Sequence, residues 1–176
     1  IAGAVTLSDG NYYLDGDVTG NIIVNGTVNL CLNGHTLSAS WGSVVTVESG
    51  TLNLYDCSGT NAGTITGGDG ENRGGILVSG NVLNMYGGTI TGNAVSGDGG
   101  GINVSADGRF TMYGGVISDN VARGNGGGVY ICHYNGSRAT FDMRGGKITG
   151  NRSEIGGGGV HMNDAADSIS VSGGEI

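Results

Sequence analysis

One nine-residue phrase is written three times in this chain: MYGGTITGN at Met85–Asn93, MYGGVISDN at Met112–Asn120 and MRGGKITGN at Met143–Asn151. The Gly-Gly pairs of the phrase begin at Gly87, Gly114, Gly145 and Gly173, in steps of 27, 31 and 28 residues. A second phrase precedes each copy: GGILV at Gly74, GGINV at Gly100, GGVYI at Gly127 and GGVHM at Gly158. Copies spaced in this way each form one supersecondary unit and bury their apolar face against the next unit, which is the rule of a solenoid.

Three short strands fit into one period. The first takes in Ile76–Val78, Ile102–Val104, Val129–Ile131 and Val160–Met162. The second takes in Leu83–Met85, Phe110–Met112, Phe141–Met143 and Ile169–Val171. The third is carried by one aliphatic residue per copy: Ile90, Ile117, Ile148 and Ile176. Apolar and polar residues alternate along the first two, the pattern of a strand with one buried face. No segment carries helical apolar spacing over three turns. The N-terminal half follows the same plan in looser wording, with Val45/Val47, Leu52/Leu54 and Ile65 in one coil and Ile22/Val24, Val28/Leu30 and Leu37 in an earlier one. Val5 to Leu14 starts a further coil or caps the stack.

The expectation is therefore an all-β chain, a single-stranded parallel β-helix over residues 1–176 as one domain. Roughly six to seven coils of three strands would give a rod on the order of 30 Å long. Right-handedness follows the general rule for parallel crossovers. The forty glycines and absent prolines then read as repeated turns rather than as a flexible tract. The 31-residue step implies a loop outside the constant core, near Cys132–Thr140.

The phrases resemble the GGA(I/L/V) and FxxN repeats of chlamydial polymorphic outer membrane proteins. Ile stands for Phe in all three full copies, and Gly usually stands for Ala. The opening VTLSDGNYYLDGDV to VNLCLNGHTL (Val5–Leu37) is also similar to the β-helical start of large surface proteins of Gram-positive gut bacteria. The resemblance implies a secreted or surface-displayed bacterial β-helix, often adhesive, and brings no catalytic residue with it. Beginning at Ile1 and stopping at SGGEI within a phrase, the chain reads as a segment of a longer surface protein whose other domains would be its covalent neighbours.

Net charge is −8, from 15 acidic and 7 basic residues, with no basic run to follow a phosphate backbone, so nucleic acid is not expected as a partner. No apolar stretch approaches the ~18 residues of a membrane span. Neither cofactor nor metal is expected. GDGEN (Gly68–Asn72) gathers oxygen ligands without calcium-loop spacing. The Asp-Gly pairs at Asp9, Asp15, Asp69, Asp98 and Asp107 are explained by turn chemistry. Cys31 and Cys57 fall on neighbouring coils, but on a diagonal long for a disulfide unless the turn after Asp56 bends back, so free thiols are the default. With His35 they form part of a possible metal set that lacks a fourth ligand.

Function must sit in the outward columns. On the first face these are Thr46/Glu48, Leu77/Ser79, Asn103/Ser105, Tyr130/Cys132 and His161/Asn163. One carboxylate, Glu48, and no Arg or Lys argue against a polysaccharide lyase or glycosidase there, and no catalytic residue is assigned. On the second face Tyr55, Tyr86, Tyr113 and Arg144 share a column, beside Asn53, Asn84, Thr111 and Asp142. Two readings stand: a platform for sugar rings, or a stack that stabilises strand pairing and ends in a cation–π contact. The third face carries Thr36/Ser38, Thr64/Thr66, Thr89/Thr91, Val116/Ser118 and Lys147/Thr149, an array broken by Val116 and Lys147 and so a poor match to ice-binding threonine ladders. Asn93, Asn120 and Asn151 are read as an internal amide ladder. The Cys132–Thr140 loop, with His133, Tyr134 and Arg138, is rich in recognition side chains. Candidate ligand contacts are thus Tyr55, Tyr86, Tyr113, Arg144, His133, Tyr134 and Arg138, for a host or environmental glycan or glycoprotein. A polysaccharide-active enzyme and a plain structural stalk are the competing classes.

Overall fold

The computed structural model describes residues 3–60, 62–133, 136–164 and 167–176. All regular structure among them is β, and every pairing between named strands is parallel, each strand lying beside its equivalent one coil later. The protein is a parallel β-helix. Its first ladder runs through Val5–Leu7, the starts of Ile22–Cys31 and Val45–Tyr55, then Ile76–Ser79, Ile102–Ser105, Val129–Cys132 and Val160–Met162. The second runs through Gly10–Tyr13, the ends of the same two long strands, then Val82–Met85, Arg109–Met112, Thr140–Met143 and Ser168–Val171. The N-terminal segment is therefore a coil in its own right.

The third ladder is a six-stranded sheet from Val18–Thr19 to Lys147–Thr149, and so makes about five turns from first strand to last. That is slightly fewer than the six to seven coils expected, because the end laps contribute only part of their circuit. The last one reaches this ladder only through a bridge from Glu175 to Lys147. A fourth ladder of two-residue strands also exists: Asp69–Gly70, Ala94–Val95, Val121–Ala122 and Arg152–Ser153. Three strands per coil was an undercount, since two residues are too few to show alternation.

Inward residues follow the expected register. Val45, Val47, Ile76, Val78, Ile102, Val104, Val129 and Ile131 line the first ladder, and Leu52, Leu54, Leu83, Met85, Phe110, Met112, Phe141 and Met143 line the second, all essentially sealed from solvent. Phe110 and Phe141 stack inside with ring centroids 4.8 Å apart. Each such aliphatic side chain stabilises the fold by about 1.5–3 kcal/mol on burial.

An internal amide ladder runs beside the second glycine of GGILV, GGINV and GGVYI. Asn93 Nδ2 donates to Asn120 Oδ1 at 2.8 Å, and Asn120 Nδ2 donates to Asn151 Oδ1 at 2.9 Å. A Cβ on Gly75, Gly101 or Gly128 would lie 2.9–3.0 Å from the Nδ2 of one of these asparagines. Glycine is thus required at the second position of GGILV, GGINV and GGVYI, where a Cβ would also lie 2.5–2.8 Å from the carbonyl oxygen of the equivalent glycine one coil later.

The extra length of the long coil falls where the sequence placed it, after Cys132 and before Thr140. Cys31 and Cys57 are joined by a disulfide with Cα atoms 6.0 Å apart, which corrects the expectation of free thiols. Asp56 is the cause. Its carboxylate accepts the N–H of Gly34 (2.8 Å), Ser58 (3.2 Å) and Gly63 (2.9 Å), curling the chain back so that Cys57 lies over Cys31. Burial pushes the Asp56 carboxyl up, but these hydrogen bonds more than offset it and hold it below the usual carboxylate value.

Candidate functional site

Two surfaces carry the chemistry. The second face holds Tyr55, Tyr86 and Tyr113 in strict register, with ring centroids 4.7 Å apart and interplanar angles of 4° and 1°. Coplanar rings would collide at that separation, so the rings must overlap face to face. They therefore present mainly edges and hydroxyls outward. The Arg144 guanidinium closes the row 5.3 Å from the Tyr113 centroid, and its Nε donates to Asp142 Oδ2 at 2.7 Å. That carboxylate, by hydrogen bond and by charge, raises the guanidinium pKa further. The three rings are 36–41% exposed, and burial by the stack raises the Tyr86 phenol pKa. Beside them runs an outward amide ladder: Asn29 donates to Asn11 (2.7 Å), Asn53 to Asn29 (2.8 Å) and Asn84 to Asn53 (2.9 Å).

Among its described residues the Cys132–Thr140 loop splits its candidate contacts between two places. His133 faces the groove over the first face, its Nδ1 3.7 Å from Asp164 Oδ2, whereas Arg138 lines a separate depression with Asp107 and Arg109. Tyr134 lies outside the described residues.

Sequence reasoning underestimated the first face. The turns ahead of each first strand fold over its outward column, so Asn103 and Tyr130 are buried although they point away from the core. Glycine permits this cover: a Cβ on Gly99, Gly126 or Gly157, all at positive φ, would meet the Cβ of Asn103, Tyr130 or His161 at 2.7–2.8 Å. The same turns bring Glu71, Arg73 and Asp98 to the face, correcting the inventory of one carboxylate and no Arg or Lys. The result is a groove of about 590 Å³ spanning Leu77, Asn103 and Tyr130. A second depression of about 350 Å³ over Ile23 and Thr46 adjoins it, and both are lined by Arg73 and Leu77. Trp41, 64% exposed, stands at the second depression. The signal for these residues was present, since Trp41 is the only tryptophan, but turn residues obey no alternation that would assign them to a face.

Within the groove Asp98 Oδ1 accepts from Asn125 Nδ2 at 3.1 Å, and the Asp98 carboxylate lies close enough to the Tyr130 hydroxyl to act on it. Burial, then Asp98, drives the Tyr130 phenol well above its ordinary range. Burial, with Asp167 and Asp98, pushes the Cys132 thiol up to about 11, which leaves it protonated and a poor nucleophile at neutral pH.

Elsewhere Asp69 Oδ1 accepts from Gly42 N (3.1 Å) and Asn72 Oδ1 from Asp98 N (2.7 Å), so these two GDGEN oxygens tie the turn to those of the neighbouring coils. His35 faces Asp17 at 3.7 Å rather than the cysteines. Among the described residues no group of three or more His, Cys, Asp or Glu is arranged to hold a metal ion, and no helix is long and apolar enough to cross a membrane. No family model matches the chain, and no curated protein or solved structure matches it either.

Proposed function

We propose that this chain is a non-catalytic, extracellular β-helix domain that binds a host or environmental glycan or glycoprotein, as part of a bacterial surface adhesin. The observation that carries the reading is the fixed outward array on the second face. Three tyrosine hydroxyls, a guanidinium and a parallel row of amides are held at one-coil spacing by stacking and hydrogen bonds. Such groups lose little conformational freedom on binding, which favours recognition. His133 and Arg138 add contacts on their separate depressions. The disulfide supports an oxidising, extracellular setting, where such bonds persist.

One observation favours a second reading, a polysaccharide-active enzyme. Glu71, Asp98, Arg73 and His133 line a single groove. Asp98 Oδ1 already accepts from both the backbone N–H and the side-chain amide of Asn125, which favours a structural role for it.

A screen of the labelled domain against glycans and host surface glycoproteins tests the proposal, with the Tyr86→Ala/Tyr113→Ala double variant alongside. Retention that the double variant loses supports recognition by the second face. Absence of any retention refutes recognition and leaves a stalk. Shortened product from any polysaccharide incubated with the domain refutes the non-catalytic part.

A further inference from the structure

The two depressions on the first face form one trough. Their floor is a single register column: Ile23 beside Thr46, Thr46 beside Leu77, Leu77 beside Asn103, and Asn103 beside Tyr130. Four coil steps make it about 19 Å long. Arg73 and Leu77 line both halves, so the halves lie side by side along this column. Trp41 stands at one end, its backbone carbonyl fixed by Asn21 Nδ2 at 2.9 Å while the indole is left largely in solvent.

We propose that this trough binds a linear, neutral or amino-substituted glycan lying along the solenoid axis, with Trp41 as the stacking platform at one end. The inference rests on the reading of the domain as a glycan binder and moves the main site from the second face to the first. Three features select this ligand. First, the tyrosine rings use their faces on one another, whereas the indole face of Trp41 is open for a sugar's C–H surface. Second, the floor strands from the second coil onward pair on both sides, so a polypeptide finds no sheet edge to extend here. A glycan needs only hydrogen-bonding side chains, such as the hydroxyls of Thr46, Ser79 and Ser105. Third, Glu48, Glu71 and Asp98 outnumber Arg73 along the trough, a field that repels uronates and sulfated chains.

Trp41 is the only tryptophan, so its emission reports on this site alone. The domain would be titrated with cellohexaose, chitohexaose, a chitosan hexamer and a galacturonate hexamer while tryptophan fluorescence and heat are followed. The expected result is a fluorescence change with at least one neutral or amino hexamer and none with galacturonate. Trp41→Ala should weaken binding by about tenfold, read by heat. Ser79→Trp, an exposed position whose new ring would plug the other half, should weaken it as well. A hexamer bound with unchanged affinity by both variants, but lost by Tyr86→Ala/Tyr113→Ala, overturns the trough and leaves recognition standing on the second face. Preference for galacturonate overturns the charge argument and with it the proposal. No binding here while other glycans are retained in the screen sinks the trough alone, and silence in both experiments sinks the two together.

Discussion

Replacing Asn120 by Ala tests the claim that the internal amide ladder holds successive coils together. Asn120 is fully buried. Its Oδ1 accepts from the Asn93 N–H at 3.1 Å and from Asn93 Nδ2 at 2.8 Å. Its Nδ2 donates to Asn151 Oδ1 at 2.9 Å and to the Ile90 carbonyl at 2.9 Å. After truncation Asn93 Nδ2 keeps the Ile65 and Thr91 carbonyls, and Asn151 Oδ1 keeps the Asn120 N–H at 3.0 Å. The Asn93 N–H loses its acceptor in a dry site. One orphaned buried donor costs about 1–3 kcal/mol, and the other lost bonds add to it, for about 2–4 kcal/mol in all. Asn53→Ala provides the control, because the same amide-to-amide bonds lie on the half-open second face, where water can replace them, and should cost less than about 1 kcal/mol. Urea unfolding with a shared slope gives the comparison, and hydrogen exchange localises it, since a solenoid transmits loss mainly to neighbouring coils. Protection should fall first at the Asn93 amide. Equal losses for the two variants, or unchanged exchange at Asn93, would refute the reasoning.

Reducing the Cys31–Cys57 disulfide, whose partners are 26 residues apart, should cost about 3.5 kcal/mol on the chain-entropy account, read as a drop in melting temperature with reductant or in Cys57→Ser. The Asp56 carboxyl titrates below its ordinary value, so its stabilisation is complete above pH ~4 and is lost as pH falls through its lower folded value. Asp56→Asn should flatten that acid limb of the urea midpoint against pH, and an unchanged limb would count against the turn as its source. Tyr86→Ala removes both stacking contacts of the central ring and should cost about 1–3 kcal/mol beyond the lost burial, measured by thermal melting beside Tyr13→Ala, an exposed ring outside the stack.

Residues whose position follows from alternation were legible from sequence. Ile76 and Val78 point inward, Leu77 outward, and every coil repeats the choice, so the core and the Tyr55–Tyr86–Tyr113 register could be written down before any coordinates. Residues in the turns were not legible. Asp98 lies two residues before a Gly-Gly pair, and nothing local says that the turn folds back over Asn103 and Tyr130 rather than away from them. The disulfide failed to emerge for the same reason. Cys57 lies just past the second strand, and its direction is set by three N–H groups converging on Asp56, from Gly34, Ser58 and Gly63. The tyrosine column was placed correctly, but which surface of each ring is free depends on ring tilt, which register does not determine.

The repeats also separate scaffold from surface within a single chain. Positions that recur in wording, the inward aliphatics, the asparagines and the paired glycines, are those whose side chains or missing side chains must fit the next coil. Outward positions on the first face change from Thr46 to Leu77, Asn103, Tyr130 and His161, because no neighbour dictates their size from within. Variety alone would suit a spacer equally, since any soluble residue would serve there; the features a spacer does not call for are the turns that cover Tyr130 and the open indole of Trp41. The varied column, lined by carboxylates and one guanidinium and ended by an open indole, is what a surface shaped for a ligand with unlike ends would require. The proposed trough on the first face would use those features, and the fluorescence of Trp41 is the direct test of it.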